Sequence, residues 1–251
     1  SRYALGRDYH RVLRSRLKRL LARIEQWVDA HNLTYAGSRL FTDSAPVLEK
    51  ALAEKAGLGW IGKHTLLINQ SAGSWFFLGE ILTSLELPVT PSAQTNRCGS
   101  CQACMDICPT DAIVGPYELD ARKCIAYLTI EHKGAIPESL RQPMGNRIFG
   151  CDDCQAVCPW NRYAAYTGES DFTPRANLDT ATLLELFAWS EQDFDTRSAV
   201  SAIRRAGYEG WLRNIAVALG NAPPDREIER ALQEKRSQAS ELVDEHIVWA
   251  L

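Results

Sequence analysis

The sequence contains no long hydrophobic run and carries little net charge. Nowhere in its 251 residues does a stretch approach the roughly 18 uninterrupted apolar residues of a membrane helix. No secretory h-region is visible either. With 45% apolar residues, 24% charged residues and a net charge of −3, the composition is that of a globular protein whose length allows one to three domains. The lack of a long apolar run argues against a membrane-spanning protein.

The chain also begins without an initiator methionine or a targeting segment. Residues 1–23 carry eight Arg or Lys against only Asp8, so this end is strongly basic. We therefore expect that an N-terminal portion is absent from the sequence.

The eight cysteines are the most informative residues. Residues 98–109 read C-G-S-C-Q-A-C-M-D-I-C-P, residues 151–159 read C-D-D-C-Q-A-V-C-P, and Cys124 stands alone between them. The first run has the C-x₂-C-x₂-C-x₃-C-P spacing of bacterial ferredoxins, in which the fourth thiolate binds the other cluster. Two [4Fe–4S] clusters need eight thiolates, which is the number present.

This spacing predicts how the thiolates are shared between the clusters. The predicted ligands of the first cluster are Cys98, Cys101, Cys104 and Cys158. Those of the second cluster are Cys108, Cys124, Cys151 and Cys154. Structural zinc and disulfides are the alternatives, but a third cysteine at this spacing is unusual for zinc, and disulfides suit small secreted domains. Two clusters also indicate a reducing compartment, most simply the cytoplasm.

Residues 8–31 predict an amphipathic helix. Its apolar stripe, expected to be buried, contains Leu13, Leu17, Leu20, Leu21, Ile24, Trp27 and Val28. Arginine and lysine side chains fill the other faces. They form either a solvated surface or a surface for a polyanion such as RNA, and the sequence leaves both open.

The segment after a short predicted strand, residues 33–42, carries a candidate site. Asp43-Ser44-Ala45-Pro46 is expected to open a helix that ends at Gly57. Asp43 is then either a helix cap or an acid placed to act on a ligand. The glycine-rich residues 57–63 lack the P-loop spacing, so they form either a tight turn or a loop that approaches a flat cofactor.

Residues 66–69 and 74–85 predict two strands around a turn, within an α/β domain over residues 1–91. Pro88, Pro91 and Ser92 form the expected link to a ferredoxin-type domain over residues 92–172.

Inside the second domain, residues 124–133 predict a helix that carries Cys124. Residues 134–150 are predicted to be rich in loops. They include Arg141, Asn146 and Arg147, and the charges of the two arginines either meet solvent, tune a cluster or contact a substrate phosphate.

Residues 173–251 predict a helical domain. Residues 211–219 and 243–251 align at an offset of 32, as in a pair of HEAT-like hairpins. The arginines of its first half, expected to form either a basic ridge or a solvated face, are Arg197, Arg204, Arg205 and Arg213.

Several of these motifs resemble those of the epoxyqueuosine reductases, tRNA-modification enzymes related to the reductive dehalogenases. Besides both cysteine runs, the matching stretches are S-R-Y-A-L-G-R-D-Y-H (1–10), D-S-A-P-V-L-E-K (43–50), G-L-G-W-I-G-K-H (57–64), G-N-R-I-F-G-C-D-D-C (145–154) and W-L-R-N-I-A-V-A-L-G-N (211–221). The resemblance implies a cobalamin-binding α/β domain that lacks its N-terminal part, a two-cluster ferredoxin-like domain and an all-α HEAT-like domain.

The resemblance also implies an activity and its site residues. The family reduces the epoxide of epoxyqueuosine at the wobble position of tRNA, using cobalamin and electrons that an external donor supplies through the clusters. Asp43 matches the family's catalytic acid, beside the cobalamin. The other residues that fall in cobalamin-lining segments are Lys63, His64, Leu67 and Asp152. Lys133 falls where the family contacts tRNA, and a monomer is expected.

Two other classes of protein remain as alternatives. A corrinoid dehalogenase would share the clusters and the cofactor, but usually carries an export signal and no helical tail. An electron-carrier subunit would need only the clusters, and has no use for the domain that precedes them.

Overall fold

The computed structural model describes residues 1–89 and 95–251. Its helices are α1 (Tyr9–Ala30), α2 (Glu49–Lys55), α3 (Ala103–Asp106), α4 (Ile125–Ile130), α5 (Glu138–Met144), α6 (Asp153–Ala156), α7 (Leu183–Phe187), α8 (Glu191–Ser198), α9 (Gly207–Gly220), α10 (Arg226–Arg236) and α11 (Glu241–Ala250). Its strands are β1 (Ser38–Phe41), β2 (Trp60–Ile61), β3 (Leu67–Ile68), β4 (Glu80–Thr83), β5 (Ile113–Gly115) and β6 (Glu118–Leu119). The predicted domain boundary at Pro91 and Ser92 lies outside the described residues.

Helix α1 confirms the first predicted helix. Asp8 caps it, because the carboxylate accepts a hydrogen bond from the His10 N–H at 3.0 Å. The expectation of one buried stripe is wrong for Leu20 and Trp27, which are 50% and 53% exposed. Helix α1 packs on a sheet of two strands, β1 and β4, and this sheet leaves these two side chains uncovered.

The strand pairing differs from the predicted hairpin. Strand β4 pairs antiparallel with β1, and β3 pairs with β2, so residues 66–69 and 74–85 share no sheet. Only an isolated bridge joins Asn69 to Gly73 across the turn. Beyond it, the Ser74 N–H donates to Asn161 Oδ1 at 2.6 Å, which directs the chain towards the second cysteine run and away from β3.

The predicted helix start at residues 43–46 is also wrong, because α2 begins at Glu49. Asp43 is therefore not its cap, whereas Gly57 ends it as predicted, with φ +77°. At Gly59 a Cβ atom would stand 2.1 Å from the Ile68 carbonyl oxygen, so this glycine allows β2 and β3 to approach each other. That contact favours an internal turn over a loop around a cofactor.

The two cysteine runs adopt matching backbones. Helices α3 and α6 pack together, and the residues before them, Gln102 and Asp152, have nearly equal dihedrals of φ −124°, ψ 2° and φ −113°, ψ 5°. Helix α4 starts directly after Cys124, which confirms that predicted helix in shorter form. Residues 134–150, predicted to be rich in loops, also contain α5.

The largest core lies under the C-terminal helices. Helix α9 is buried from Gly210 to Leu219 and packs against α4, α5, α7 and α11. The two aligned segments are α9 and α11, which lie side by side. That the pair forms HEAT-like repeats stays a prediction. None of the helices in the described ranges is long and apolar enough to cross a lipid bilayer.

Two arginines predicted for the surface are buried. Arg213 is 1% exposed and donates to backbone carbonyls, so it belongs to no exposed ridge. Arg141 is 4% exposed, donates to the Ile136 carbonyl and pairs with Glu245. Neither solvent nor a phosphate contacts a guanidinium in such a position, because backbone carbonyls and the side chains of Glu245 and Asn214 already accept its hydrogen bonds.

Candidate functional site

A cavity of about 230 Å³ gathers the first predicted set of thiols. The cysteines on its wall are Cys98, Cys101, Cys104 and Cys158. Cys158 arrives from a distant part of the sequence because the packing of α3 on α6 brings the two runs together. The Lys63 ammonium secures the loop of this set, since it donates to the Gly99 and Cys101 carbonyls at 2.7 and 2.8 Å.

A second cavity of about 230 Å³ gathers the other four thiols. They are Cys108, Cys124, Cys151 and Cys154. Burial is the main cause that raises the pKa of Cys151 to about 11 and that of Cys154 to about 12. All eight cysteines are free thiols, and metal binding would have to displace their protons.

The thiols are spaced for something larger than one ion. Within residues 1–89 and 95–251, no three Cys, His, Asp or Glu side chains converge closely enough to hold a single metal ion. Zinc needs its ligands about 2.0–2.3 Å from one point. Four thiols around a cavity therefore fit an iron–sulfur cluster better than zinc.

His64 lies between the two thiol cavities and lines both. It is 3% exposed, and burial is the main cause that lowers its pKa to about 4, with the nearby Lys50 charge as a further cause. The ring is therefore neutral near pH 7. Leu67, also predicted to contact cobalamin, lies in β3 and is 4% exposed. Asp152 lines the second thiol cavity, where its carboxylate accepts the Arg2 N–H at 2.7 Å.

A third and larger cavity, of about 970 Å³, adjoins the second thiol cavity. The side chains that line both are Tyr3, Ala126 and Ile130. The start of α1, the loop after β1, helix α4 and residues 199–205 form its walls. The three cavities thus follow one another in a row, with His64 at the first junction and Tyr3 at the second.

Asp43 stands on the wall of the large cavity. Its backbone is left-handed, at φ +49°, which marks a constrained turn for a residue other than glycine. The Asp43 N–H donates to Glu49 Oε1 at 2.5 Å, and its carboxylate accepts a hydrogen bond from the Tyr9 hydroxyl. His10 Nε2 lies 3.7 Å from the same carboxylate oxygen. Of the five predicted cobalamin contacts, only Asp43 lines this cavity.

Burial, the bond to Asp43 and its charge raise the pKa of Tyr9 well above its usual range, so Tyr9 remains a hydrogen-bond donor. Neither Tyr9 nor His10 was predicted to have a role in the site. No local pattern reveals one, because both depend on the packing of α1 against β1.

Basic side chains surround the cavity mouth. Those on its wall are Arg11, Arg14, Arg204 and Arg205. Arg14 donates to Ser44 beside the Asp43 turn at 2.6 Å, and Arg205 pairs with Glu131. The Lys133 ammonium, predicted for tRNA, donates to the Ile130, Arg205 and Ala206 carbonyls, and so fixes the backbone behind Arg205.

Comparison with known proteins agrees with this geometry in two steps. Residues 97–161 match the 4Fe-4S double cluster binding domain, which makes the chain an iron–sulfur protein with a ferredoxin-like module. Residues 1–44 match the family described as epoxyqueuosine reductase QueG, DUF1730.

An epoxyqueuosine reductase of Pseudomonas aeruginosa is 61% identical over 251 residues, which are 100% of this chain and 68% of that protein. The crystal structure of epoxyqueuosine reductase with an epoxyqueuosine-modified tRNA-Tyr stem loop superposes with a TM-score of 0.82 at 26% identity, covering 99% of this chain and 73% of that one. The enzyme from Streptococcus thermophilus superposes with a TM-score of 0.87 at 31% identity, over 98% and 64% of the two chains. The chain belongs to the epoxyqueuosine reductase family, and is thus an oxidoreductase.

Proposed function

We propose that the protein reduces the epoxide of epoxyqueuosine, at the wobble position of tRNA, to queuosine. One observation carries the proposal: an exposed carboxylate, Asp43, lines a large cavity that adjoins the second of two four-thiol cavities. A relative that binds an epoxyqueuosine-modified stem loop supports this substrate.

Each thiol cavity fits one [4Fe–4S] cluster, held by the four cysteines that line it. Such clusters transfer single electrons at potentials set by charge, hydrogen bonds and solvent exposure. The chain's part is to fix the two sites. The packing of α3 on α6 unites each set, and Lys63 anchors the loop of the first set to β2 and β3.

Cobalamin is proposed for the large cavity, at the end that borders the second thiol cavity. The space of about 970 Å³ and the acid on its wall fit a large flat cofactor beside a reacting epoxide. When bound, cobalamin supplies strongly nucleophilic reduced cobalt. Asp43 would lie beside it. Lys63, His64 and Asp152 line the thiol cavities, so these three residues and Leu67 would lie on the side of the cofactor that faces the clusters.

Asp43 is the proposed proton donor. Conversion of an epoxide to an alkene consumes two electrons and two protons and releases water, so the departing oxygen needs an acid. Tyr9, Glu49 and the left-handed turn fix the position of the Asp43 carboxylate. Bound substrate would cover the exposed side of this carboxylate and exclude water from it.

The basic side chains around the mouth are proposed to bind the tRNA backbone. Arg11 and Arg14 of α1 and Arg204 and Arg205 lie on the rim where phosphates would pass. Lys133 would contribute by holding the Arg205 backbone, or by direct contact after a rotation. An external electron donor, a cytoplasmic location and a monomeric state complete the proposal.

The test is anaerobic turnover of epoxyqueuosine-containing tRNA, scored as queuosine by nucleoside mass spectrometry. Asp43→Asn should keep cobalamin and iron but lose at least about 100-fold in rate, since general acid catalysis contributes 10²–10⁴-fold. Asp29→Asn, at the far end of α1, is the matched control and should turn over normally. Wild-type turnover by Asp43→Asn would contradict the role of Asp43, and no turnover by wild-type protein supplied with cobalamin would contradict the function.

A further inference from the structure

His10 lies between two carboxylates in an arrangement suited to proton transfer. Its Nδ1 atom is 2.8 Å from Asp8 Oδ1, and its Nε2 atom is 3.7 Å from Asp43 Oδ2. The Asp8 carboxylate accepts the Nδ1–H of the ring, which leaves Nε2 facing Asp43. One bridging water or a small rotation closes the remaining distance.

The reaction needs two protons for each epoxide, and one carboxylate carries only one. After Asp43 has protonated the departing oxygen, it is an anion that must be protonated again before the oxygen leaves as water. The neighbouring Tyr9 hydroxyl does not supply this proton, because the shift in its pKa keeps the phenol protonated. His10 is the other proton-bearing group within 4 Å of the Asp43 carboxylate among the described ion-pair and hydrogen-bond contacts.

We infer that His10 delivers the second proton by reprotonating Asp43, in an orientation set by Asp8. The inference rests on the proposed function and deepens it. In this step His10 acts as an imidazolium whose Nε2 proton has come from solvent: the Nε2–H bond breaks, an Asp43 O–H bond forms, and the ring is left with its one proton on Nδ1. Asp43 then passes the proton to the oxygen, so that the epoxide, two protons and two electrons from the clusters give the alkene and water.

Aromatic packing holds the relay in place. The Tyr9 ring stacks on Phe77 with centroids 4.3 Å apart and on His10 with centroids 4.1 Å apart. His10 is about a quarter exposed towards the cavity, so it can exchange protons with solvent. The other charged and titratable groups that face the cavity are Tyr3, Arg11, Arg14, Tyr127, Glu131, Arg204 and Arg205.

His10 could instead serve only the start of α1, where Asp8 accepts its backbone N–H. That capping bond does not involve the imidazole. A purely structural role therefore predicts that His10→Ala and His10→Gln behave alike and that small imidazoles do not restore either one. A relay predicts that imidazole restores His10→Ala, whose truncated side chain leaves space, more than His10→Gln.

The test compares His10→Ala, His10→Gln and Asp8→Asn in the full chain, with His31→Gln at the other end of α1 as control. Iron content, cobalamin absorbance and helix content should be unchanged. Steady-state turnover of His10→Ala should fall about 100-fold, with the pH dependence of kcat altered and with recovery in imidazole. Asp8→Asn should show a smaller loss, because its amide still caps α1 but orients the ring less well.

Two controls separate the possible failures. Imidazole is added to wild type and to Asp43→Asn in parallel, because it can bind cobalt, and Asp43→Asn should not recover. Turnover of His10→Ala within about twofold of wild type would overturn the relay, as would a loss with an unchanged pH profile and no imidazole recovery. Should Asp43→Asn itself turn over, the proposed function of Asp43 fails instead.

Discussion

Replacement of Arg213 should destabilise the helix that follows Cys124, and with it the second set of thiols, although Arg213 does not line their cavity. The guanidinium donates to the Leu128, His132 and Gly134 carbonyls at 2.7–2.8 Å. These carbonyls lie at and beyond the C-terminal end of α4, the helix that begins directly after Cys124. The cation therefore caps the negative end of the helix that positions one proposed cluster ligand.

Two opposing effects set the expected magnitude for Arg213→Ala. Loss of the donor costs about 2 kcal/mol at each of two buried acceptors, the Leu128 carbonyl and Asn214 Oδ1, and about 1 kcal/mol at each of the part-buried carbonyls of His132 and Gly134. Burial lowers the pKa of Arg213 to about 10 from 12.5, and removal of that desolvated cation returns about 3 kcal/mol. We therefore expect the free energy of unfolding to fall by about 3 kcal/mol, which lowers Tm by about 6–12 °C in a chain of this size.

Anaerobic thermal unfolding followed by circular dichroism measures the global effect, and hydrogen exchange of the α4 amides measures the local one. Iron analysis should show partial loss of metal. Arg230→Ala is the control, because its side chain is 70% exposed, and it should stay within about 0.5 kcal/mol of wild type. A Tm for Arg213→Ala within 2 °C of wild type, with full iron and unchanged α4 exchange, would refute the capping role.

Three further predictions test other parts of the site. Cys158→Ala should remove the cluster of the first cavity and keep that of the second, with Cys124→Ala as its opposite, both read from iron content and the electron paramagnetic resonance of the reduced protein. Lys63→Met should make the reduction potential of the first cluster more negative, because it removes a cation from the cluster loop, while Lys63→Arg should retain it; a redox titration checks both. His246→Gln should flatten the pH dependence of stability. Burial lowers the pKa of His246 from 6.5 to about 4, so between these two pH values the unfolded state takes up a proton that the folded state does not. The free energy of unfolding of the wild type should therefore fall by about 3 kcal/mol across this range, measured by urea unfolding at each pH.

Local patterns predicted those features that depend on spacing along the chain. The cysteine spacing predicted both sets of four thiols, including the exchange of Cys108 and Cys158, because that spacing already defines the geometry of the run. The apolar residues at helical spacing and the cap residue Asp8 predicted α1, because the face and the start of a helix also depend on spacing along the chain. Repetition at an offset of 32 predicted that residues 211–219 and 243–251 form similar helices, and these pack together.

Features that depend on distant partners could not be predicted in this way. Arg141 and Arg213 read as surface cations, since nothing in the sequence reveals their distant partners. These are Glu245 for Arg141, and the Gly134 and Leu128 carbonyls, 79 and 85 residues away, for Arg213. The pairing of β4 with β1 replaces a nearer hairpin, and Asn161, which accepts the Ser74 N–H at 2.6 Å, lies 87 residues further along the chain. The side chains beside the Asp43 carboxylate, Tyr9 and His10, likewise lie at the start of α1, with Tyr9 34 residues earlier in the chain.

The order of the cavities constrains how the protein handles electrons. Cys101 is exposed, whereas the thiols of the second set are partly or largely covered, so a donor reaches the first set more directly. His64 separates the two sets as a neutral ring, which adds no charge between them that would favour an electron on either side. Tyr3, Ala126 and Ile130 line both the second thiol cavity and the large cavity, and so lie between them. In the proposed function, protons would reach the large cavity through His10 and Asp43, which line it. Electrons and protons would then meet where the substrate binds, and this separation would keep the reduced clusters away from the acid that the reaction requires.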